Sequence, residues 1–377
     1  MRTWSGLVVF GMVCLGAAAN AAPIKVTDLG SPILAESGKR PIEASIARVA
    51  NGKNAIVSFY SQDNFDLSEL PTAVAYVGGV MQPGHPRKGA AAINSFGHYI
   101  TRGGIVANRD TGHTGSQLHK NGTVTPVPGI EGYNHVAVNH MNDAGVMVGY
   151  FARFWPDGDL FSDKPFYRRG DQVWSPTDLG AMYRVNNKGI ALVAMEGIGG
   201  GIWSPETGFQ SIAEFDNSEA IPDFNDHNEI IQKTRFRNGR FEVSILSPTS
   251  TRKLLYPEFA ANRYLTASHR GFNNVGNVTV EMRLKITGGA ENRWFVYGNN
   301  SWRDLTDDIR AQIPSSWSLD KFGDIDDYGV AYGTATLPDG TKTVLMIETV
   351  PEPGTLAALG LGALLMKRRK NCRKIKA

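Results

Sequence analysis

The chain has 377 residues, including 42 glycines and 19 prolines, and 42% of its residues are hydrophobic. This mixture favours an all-β protein with many turns over a helical one. Eight of the 39 basic residues lie at the two ends, at Arg2 and between Lys367 and Lys376, which leaves 31 basic residues to set against 36 acidic ones. This balance argues against nucleic acid as a partner, because phosphate binding needs a basic face.

The two cysteines, Cys14 and Cys372, lie near opposite ends of the chain. The residues between them therefore offer no intramolecular disulfide and no cysteine-ligated metal site. The sequence also contains no zinc-protease, nucleophile-elbow or phosphate-loop motif. We predict no catalytic residue, no metal and no cofactor, and the sequence favours a protein that is not an enzyme.

The first residues have the pattern of a secretory signal peptide. Arg2 precedes an apolar stretch from Gly6 to Gly16, and Ala19-Asn20-Ala21 fits an A-x-A cleavage site. We predict a signal peptide over residues 1–21, marked by Ala19 and Ala21, and export of the body that follows. A buried first helix is the alternative.

One phrase recurs roughly every 45 residues through the body, residues 22–349. It consists of an apolar residue, Asn or Asp, two free positions, Gly or Asn, and an alternating apolar strand. The Asn or Asp can bond its own backbone two residues on, and the fourth position suits a residue that tolerates positive φ. Asn54 and Asn228 stand in for glycine in two copies. The predicted turn residues are Asn51, Asn94, Gly97, Asn142, Gly145, Asn186, Gly189, Asn225, Asn273, Gly276, Asp326 and Gly329.

A second hairpin signal follows each of the first six turns, as in "QLHKNGTVTPV" and "RWFVYGNNSWRDL". Two hairpins make four strands, and four-stranded units at this period are typical of a β-propeller. The last unit has three strands, and Ile24 to Leu29 resembles the segment that ends other repeats. We expect it to complete the final blade of a seven-bladed ring, because an unclosed ring leaves strand edges exposed. A pair of β-sandwiches or an open solenoid is the alternative.

The repeats resemble the HAF-type extracellular repeats of exported bacterial proteins, which implies an extracellular setting. The loops between the two hairpins are long in the first three repeats and would share one face, opposite the Asn-x-x-Gly turns. Aromatic rings among charged groups suit sugar recognition, because rings stack on C–H faces while acids accept hydroxyl protons. Alternatively these loops simply vary and pack on themselves. The candidate ligand face consists of Tyr60, Phe65, Arg109, Arg153, Trp155, Asp157 and Asp159.

The C-terminal segment, residues 350–377, has three parts. Pro351 and Pro353 enforce an extended, accessible start, and Thr355 can cap a helix over 356–366. Such a helix rises about 17 Å against a hydrocarbon core of about 30 Å, so it spans a bilayer poorly. The basic cluster that follows should stay on the cytoplasmic side, which places the body outside. This cluster consists of Lys367, Arg368, Arg369 and Lys370.

Pro351-Glu352-Pro353, an apolar segment and this basic cluster together resemble the PEP-CTERM sorting tail of Gram-negative bacteria. The resemblance implies processing by the membrane protease-transpeptidase exosortase, transient insertion in the inner membrane, and a final place in the cell envelope or extracellular matrix. It also implies an association with extracellular polysaccharide. The chain departs from the pattern by continuing with "NCRKIKA" beyond the cluster. An ordinary weak tail anchor is the alternative.

Three functions remain open from the sequence. The preferred one is a non-enzymatic binding module of the envelope. The second is a polysaccharide-active lyase or hydrolase, which needs two carboxyls or a base–acid pair converging in one pocket. Asp157 or Asp159 with Arg153 are its first candidates, and converging carboxyls in the central channel would favour it. The third is a scaffold that binds other proteins.

Overall fold

Short strands rich in Val, Ile and Tyr, many of them joined by Gly- or Asn-containing turns, make up the computed structural model. It describes residues 23–31, 41–60, 72–82, 89–102, 115–154, 160–195, 199–213, 215, 223–235, 241–254, 264–298 and 300–349. The compact unit runs from Ile24 to Thr349. No helix in these ranges is long and apolar enough to cross a bilayer. The predicted signal peptide and sorting tail lie outside the described residues.

The strands form seven antiparallel four-stranded sheets, which are the blades of a propeller. Blade 1 contains β2 (Glu43–Ala50), β3 (Asn54–Tyr60), β4 (Thr72–Val77) and β5 (Val80–Met81). Blade 2 contains β6 (Gly89–Ile93), β7 (Tyr99–Arg102), β8 (Gln117–Lys120) and β9 (Thr123–Pro126). Blade 3 contains β10 (His135–Met141), β11 (Met147–Phe154), β12 (Leu160–Arg169) and β13 (Gln172–Trp174).

Blade 4 contains β14 (Ala181–Val185), β15 (Ala191–Met195), β16 (Gly199–Ser204) and β17 (Gly208–Ser211). Blade 5 contains β18 (Asp223–Phe224), β19 (Ile230–Arg235), β20 (Phe241–Ser247) and β21 (Ser250–Leu254). Blade 6 contains β22 (Tyr264–Phe272), β23 (Val278–Ile286), β24 (Gly289–Gly298) and β25 (Ser301–Asp304), and the short helix α1 (Thr306–Arg310) follows.

Blade 7 joins the two ends of the ring. It consists of β26 (Ser318–Ile325), β27 (Val330–Thr336), β28 (Lys342–Thr349) and, on the outside, β1 (Ile24–Gly30). β1 pairs antiparallel with β28, and the Thr343 hydroxyl donates a 2.5 Å hydrogen bond to Asp28 Oδ1. The predicted seven-bladed ring, closed by the N-terminal strand, is confirmed.

Gln312, just after α1, covers the outer edge of β1. Its Nε2 donates to the Ile24 carbonyl at 3.0 Å, and its Oε1 accepts the Val26 N–H at 2.9 Å. The side-chain amide thus occupies main-chain groups that an edge strand otherwise leaves open to a foreign strand.

The hydrophobic core lies between the blades. Seven clusters of buried side chains each join two neighbouring blades. Between blades 6 and 7, for example, Trp294 stacks on Phe322 with ring centroids 5.0 Å apart. Among the described residues, the cluster between blades 1 and 2 has four buried members, Ile56, Ala73, Ala75 and Ile93. Each blade therefore buries its apolar faces only against its neighbours, as expected of a repeat protein.

Candidate functional site

The Asn-x-x-Gly turns join the first and second strands of the blades. In blade 2, Asn94 Oδ1 accepts the N–H groups of Phe96 at 3.1 Å and His98 at 3.0 Å. The fourth residue, Gly97, has a φ of 75°, and Asn228 takes the same conformation in blade 5 with a φ of 61°. A small or amide-bearing residue is favoured there because positive φ disfavours other side chains.

The same asparagine also links its blade to the next one. Asn94 Nδ2 donates to the carbonyl of Asn142, which leads the turn of blade 3, at 3.4 Å. The bond repeats between blades 3 and 4 (2.7 Å), 4 and 5 (3.1 Å), 5 and 6 (3.4 Å), and 6 and 7 (2.8 Å), from Asn142, Asn186, Asn225 and Asn273. Five consecutive links thus use one amide each.

We call the residue that begins each turn, such as Asn94 or Asn142, the leading residue. The residues that directly follow the leading residues form a second set of links between blades. Each of these side chains accepts the main-chain N–H of the equivalent residue in the preceding blade. Asp143 N, for example, donates to Asn187 Oδ1 at 3.0 Å, and Asn187 N donates to Asp226 Oδ1 at 2.7 Å. The set continues through Asn274 and Asp327 to Asn51 of blade 1, with distances of 2.6–2.8 Å.

Blade 1 differs from the predicted alignment by one residue. Ala50 pairs with Asn54, so Ala50 and not Asn51 holds the leading position. The left-handed residue is Lys53, with a φ of 61°, whereas Asn54 begins β3. The link to blade 2 is restored by Asn54, whose Nδ2 lies 3.2 Å from the Asn94 carbonyl and 2.9 Å from the Ser95 carbonyl. The repeat pattern misleads in blade 1 because Ala50 has no side-chain amide, and Asn54 at the start of β3 supplies the amide instead.

The first strand of each blade lies nearest the centre of the propeller. The residue two positions before the one that begins the turn lies at the same level in all seven of these strands. The strand register aligns six of these residues with the same position of the second strand. The seventh, Asp324, precedes the leading Asp326 by two residues. We call this set the channel ring, and its members are Arg48, Ala92, His140, Arg184, Asp223, Gly271 and Asp324.

Charged groups of the channel ring contact one another across blade boundaries. The Arg184 guanidinium forms an ion pair with the Asp223 carboxylate between blades 4 and 5, and both side chains are largely buried. Asp324 packs directly on the backbone of blade 6, because a Cβ atom on Gly271 would lie 1.9 Å from Asp324 Oδ1. Asp324 Oδ1 also accepts the N–H of Ile325 at 2.8 Å. The ring therefore fastens adjacent inner strands between blades 4 and 5 and between blades 6 and 7.

Burial and the guanidinium groups of Arg184 and Arg48 hold the pKa of His140 well below its ordinary value. The imidazole is therefore neutral near pH 7, and its Nδ1 accepts the Val185 N–H at 3.4 Å. Burial and the Asp223 carboxylate raise the pKa of Asp324 well above its usual range, although both arginines oppose this effect. Since these groups come from blades 1, 3, 4, 5 and 7, only the centre of the ring can bring them together.

The tips of the same turns carry exposed apolar side chains in three blades around the closure. Phe96 of blade 2, Val275 of blade 6 and Tyr328 of blade 7 are 67%, 66% and 75% exposed, and each stands two residues after its leading position. The equivalent positions of blades 4 and 5 carry Lys188 and His227. One arc of the turn face therefore carries apolar tips, and the opposite arc carries polar ones.

The predicted ligand face on the opposite side falls mostly outside the described residues. Five of its members lie outside the described ranges: Phe65, Arg109, Trp155, Asp157 and Asp159. Tyr60 ends β3, and Arg153 lies near the end of β11 with an exposed side chain, both at strand ends distal to the turns. Tyr60 belongs to blade 1 and Arg153 to blade 3. The rest of the candidate ligand face stays a prediction.

No group of three or more His, Cys, Asp or Glu side chains in the described ranges is arranged to hold a metal ion. The channel ring itself was missed by sequence reasoning. The available signal was ionisable residues at one strand position in five of the seven repeats: Arg48, His140, Arg184, Asp223 and Asp324.

The fold defines a seven-bladed, N-terminally closed propeller, and its C-terminal segment carries a known signal. The PEP-CTERM protein-sorting motif matches residues 349–374. This motif implies export, processing by exosortase and a location associated with the cell envelope. The predicted sorting tail is confirmed. No curated protein sequence matches the chain significantly.

Several solved structures are similar to this chain. The β-propeller domain of the trilobed protease from Pyrococcus furiosus matches 80% of this chain and 95% of its own, with 10% identity and a TM-score of 0.49. One of two prolyl endopeptidases matches 78% of this chain and 47% of its own, with 10% identity and a TM-score of 0.48. Acylaminoacyl peptidase from Pyrococcus horikoshii matches 85% and 55%, with 10% identity and a TM-score of 0.46. This chain spans about half the length of those two peptidases.

Proposed function

We propose that this protein is exported, sorted by an exosortase-type enzyme, and retained at the cell envelope or in the extracellular matrix as a binding module. The observation that carries the proposal is the PEP-CTERM match at residues 349–374, directly after a ring that closes on itself by Thr349. In this account the signal peptide of residues 1–21 directs export. The C-terminal helix then holds the chain in the inner membrane until the tail is removed.

The ligand class that we propose is extracellular polysaccharide. The exposed rings of Phe96 and Tyr328 offer surfaces for the C–H faces of sugars, which favour aromatic partners. The resemblance to PEP-CTERM proteins, which implies an association with extracellular polysaccharide, and the predicted face around Trp155 also support this class. The likeness to HAF-type repeats supports an extracellular setting. The two faces are separate candidates, since they lie at opposite ends of the blades.

Binding is tested by titrating the full chain, in mild detergent, with polysaccharide purified from the envelope of the producing cells and following tryptophan fluorescence. Two variants separate the faces. Tyr328→Ser changes the face that carries the Asn-x-x-Gly turns, and Trp155→Ala changes the candidate ligand face. Val124→Ser, an exposed apolar position on an outer strand, is the matched control. Saturable binding that one face variant weakens at least tenfold supports the proposal. Absence of binding in the wild-type chain contradicts it.

The second candidate function is a polysaccharide-active lyase or hydrolase, and one observation favours it. Asp223 and Asp324 converge in the channel, and their environments differ. Asp223 is paired with Arg184, whereas the pKa of Asp324 is raised by burial and by Asp223. Two carboxyl groups in different surroundings are the pairing used in glycoside hydrolysis.

The binding module remains preferred over the enzyme because both carboxyls already have structural partners. Asp223 is held by Arg184, and Asp324 is pressed against the Gly271 backbone. Release of new reducing ends or unsaturated products from the polysaccharide, lost in Asp324→Asn, would establish the enzyme. Binding without product formation supports the module. Failure of both, together with capture of a defined envelope protein, would favour the scaffold.

A further inference from the structure

The boundary between blades 7 and 1 differs from the five amide links that precede it around the ring. Its leading residue is Asp326, where blades 2 to 6 have asparagine. Asp326 Oδ1 accepts the N–H groups of Tyr328 at 2.9 Å and Val330 at 2.8 Å, as Oδ1 of the asparagines does in the other turns. Its Oδ2 is buried and has no hydrogen-bond partner among the described residues.

Oδ2 of Asp326 corresponds to Nδ2 of the asparagines that lead the turns of blades 2 to 6. In each of those, Nδ2 donates to the carbonyl of the leading residue of the next blade, which for blade 7 is Ala50. An ionised carboxylate has no proton to donate to that carbonyl. The boundary is held instead by the second set of links, in which Asn51 exchanges two 2.8 Å hydrogen bonds with Asp327.

Charged groups of both signs lie around Asp326. Asp327 lies beside it in the turn, and Glu348 approaches from β28, where Lys53 of blade 1 pairs with it at 2.6 Å and Lys25 of β1 lies 3.8 Å away. The Tyr332 hydroxyl of β27 is buried nearby without a partner among the described residues. Burial first, and then Asp327 and Glu348, raise the pKa of Asp326 to about 6, against two backbone hydrogen bonds that lower it.

We infer that the boundary between blades 7 and 1 is a pH-sensitive closure, in which the protonated carboxyl of Asp326 donates to the Ala50 carbonyl and completes the set of inter-blade links. Above the transition the carboxylate leaves this link open. The closure lies where the two ends of the propeller chain meet, next to the segment that leads into the sorting tail. The inference stands independently of the proposed ligand.

The sign of the effect follows from linkage. A folded-state pKa above the unfolded value means that the folded chain binds the proton more tightly. The protonated Asp326 carboxyl therefore contributes fully to the stability of the folded chain below about pH 4. This contribution is lost as pH rises through about 6. A difference of about two pKa units corresponds to a roughly 100-fold change in the folded-to-unfolded ratio.

The test uses Asp326→Asn in the full chain, with Tm measured from pH 4.5 to 8. The variant carries the amide of the other blades, so we expect a Tm at pH 7.5 that exceeds the wild-type value by at least about 2 °C. The gain should shrink towards zero at pH 4.5, where the wild-type carboxyl is protonated. His140 and Asp324 titrate in both proteins, so the difference between the two curves isolates Asp326.

The matched variant is Asn273→Asp, which places a carboxyl at the boundary between blades 6 and 7. It should lower Tm at pH 7.5 and recover part of that loss at pH 4.5. Equal Tm differences at both pH values, or a lower Tm for Asp326→Asn at pH 7.5, would overturn the inference. Neither result bears on polysaccharide binding, so the two proposals fail separately.

Discussion

The side-chain amide of Asn142 donates a 2.7 Å hydrogen bond to the main-chain carbonyl of Asn186, the residue that leads the turn of the next blade. The same side chain holds its own turn, because Asn142 Oδ1 accepts the Val146 N–H at 2.8 Å. A motif that looks like local turn chemistry therefore also connects units about 44 residues apart. The ring is held by these polar links as well as by the seven apolar clusters.

Loss of one amide should weaken the ring measurably. In Asn142→Asp, the acceptor oxygen stays, but the donor to the Asn186 carbonyl is replaced by a buried charge. We expect a loss of about 1–3 kcal/mol in the free energy of unfolding at pH 7.5. Urea denaturation followed by circular dichroism measures it. Asn121→Asp, in an exposed hairpin turn, is the control and should change stability by less than about 0.5 kcal/mol.

Close approach of blades 6 and 7 makes Gly271 sensitive to any added atom. A methyl group there would lie 1.9 Å from Asp324 Oδ1 and 2.5 Å from its Cα, so the strands must separate. Gly271→Ala should cost about 1–3 kcal/mol of stability. Gly289→Ala is the matched control, because no atom of the part of the chain that the structure describes lies within 4 Å of the point that its methyl group would occupy. Equal stability of the two variants would show that the contact does not constrain the fold.

Removal of the Gln312 side chain should expose the edge of β1. Gln312→Ala loses hydrogen bonds to Ile24 and Val26, so faster amide exchange in residues 24–30 is expected, with a stability loss of about 1–2 kcal/mol. We also expect more self-association on light scattering, because an open edge can pair with another chain. Gln210→Ala, on the outer strand of blade 4, should change neither quantity. Unchanged exchange in Gln312→Ala would mean that β28 alone holds β1.

The channel histidine should remain neutral through the physiological range. Because burial, Arg184 and Arg48 lower the pKa of His140, its ring carbon signals should not titrate between pH 6 and 8 in NMR spectra. The unfolded chain takes up a proton near pH 6.5 and the folded chain does not, so this group reduces stability as pH falls below that value. His140→Gln should remove that part of the pH dependence. A ring titration at or above pH 6.5 would contradict the described channel.

Much of the fold follows from the repeat phrase, because a tight turn and a short strand are local and leave a residue pattern. The closure was also predictable, since the last repeat has three strands and Ile24 to Leu29 resembles the segment that ends other repeats. The channel ring was not, because a charged residue such as Arg184 or Asp223 has no meaning in a single strand until the ring brings seven strands to one axis. Blade 1 was misaligned by one residue because Asn54 supplies from the next strand the amide that Ala50 lacks.

Export of this propeller and its sorting by the tail can be checked by intact-mass spectrometry of the protein recovered from the cytosolic, membrane, envelope and secreted fractions. We expect the envelope and secreted forms to begin at Ala22 and to lack the basic cluster at 367–370. Uncut chains of all 377 residues, soluble in the cytosolic fraction and absent from the others, would contradict this expectation.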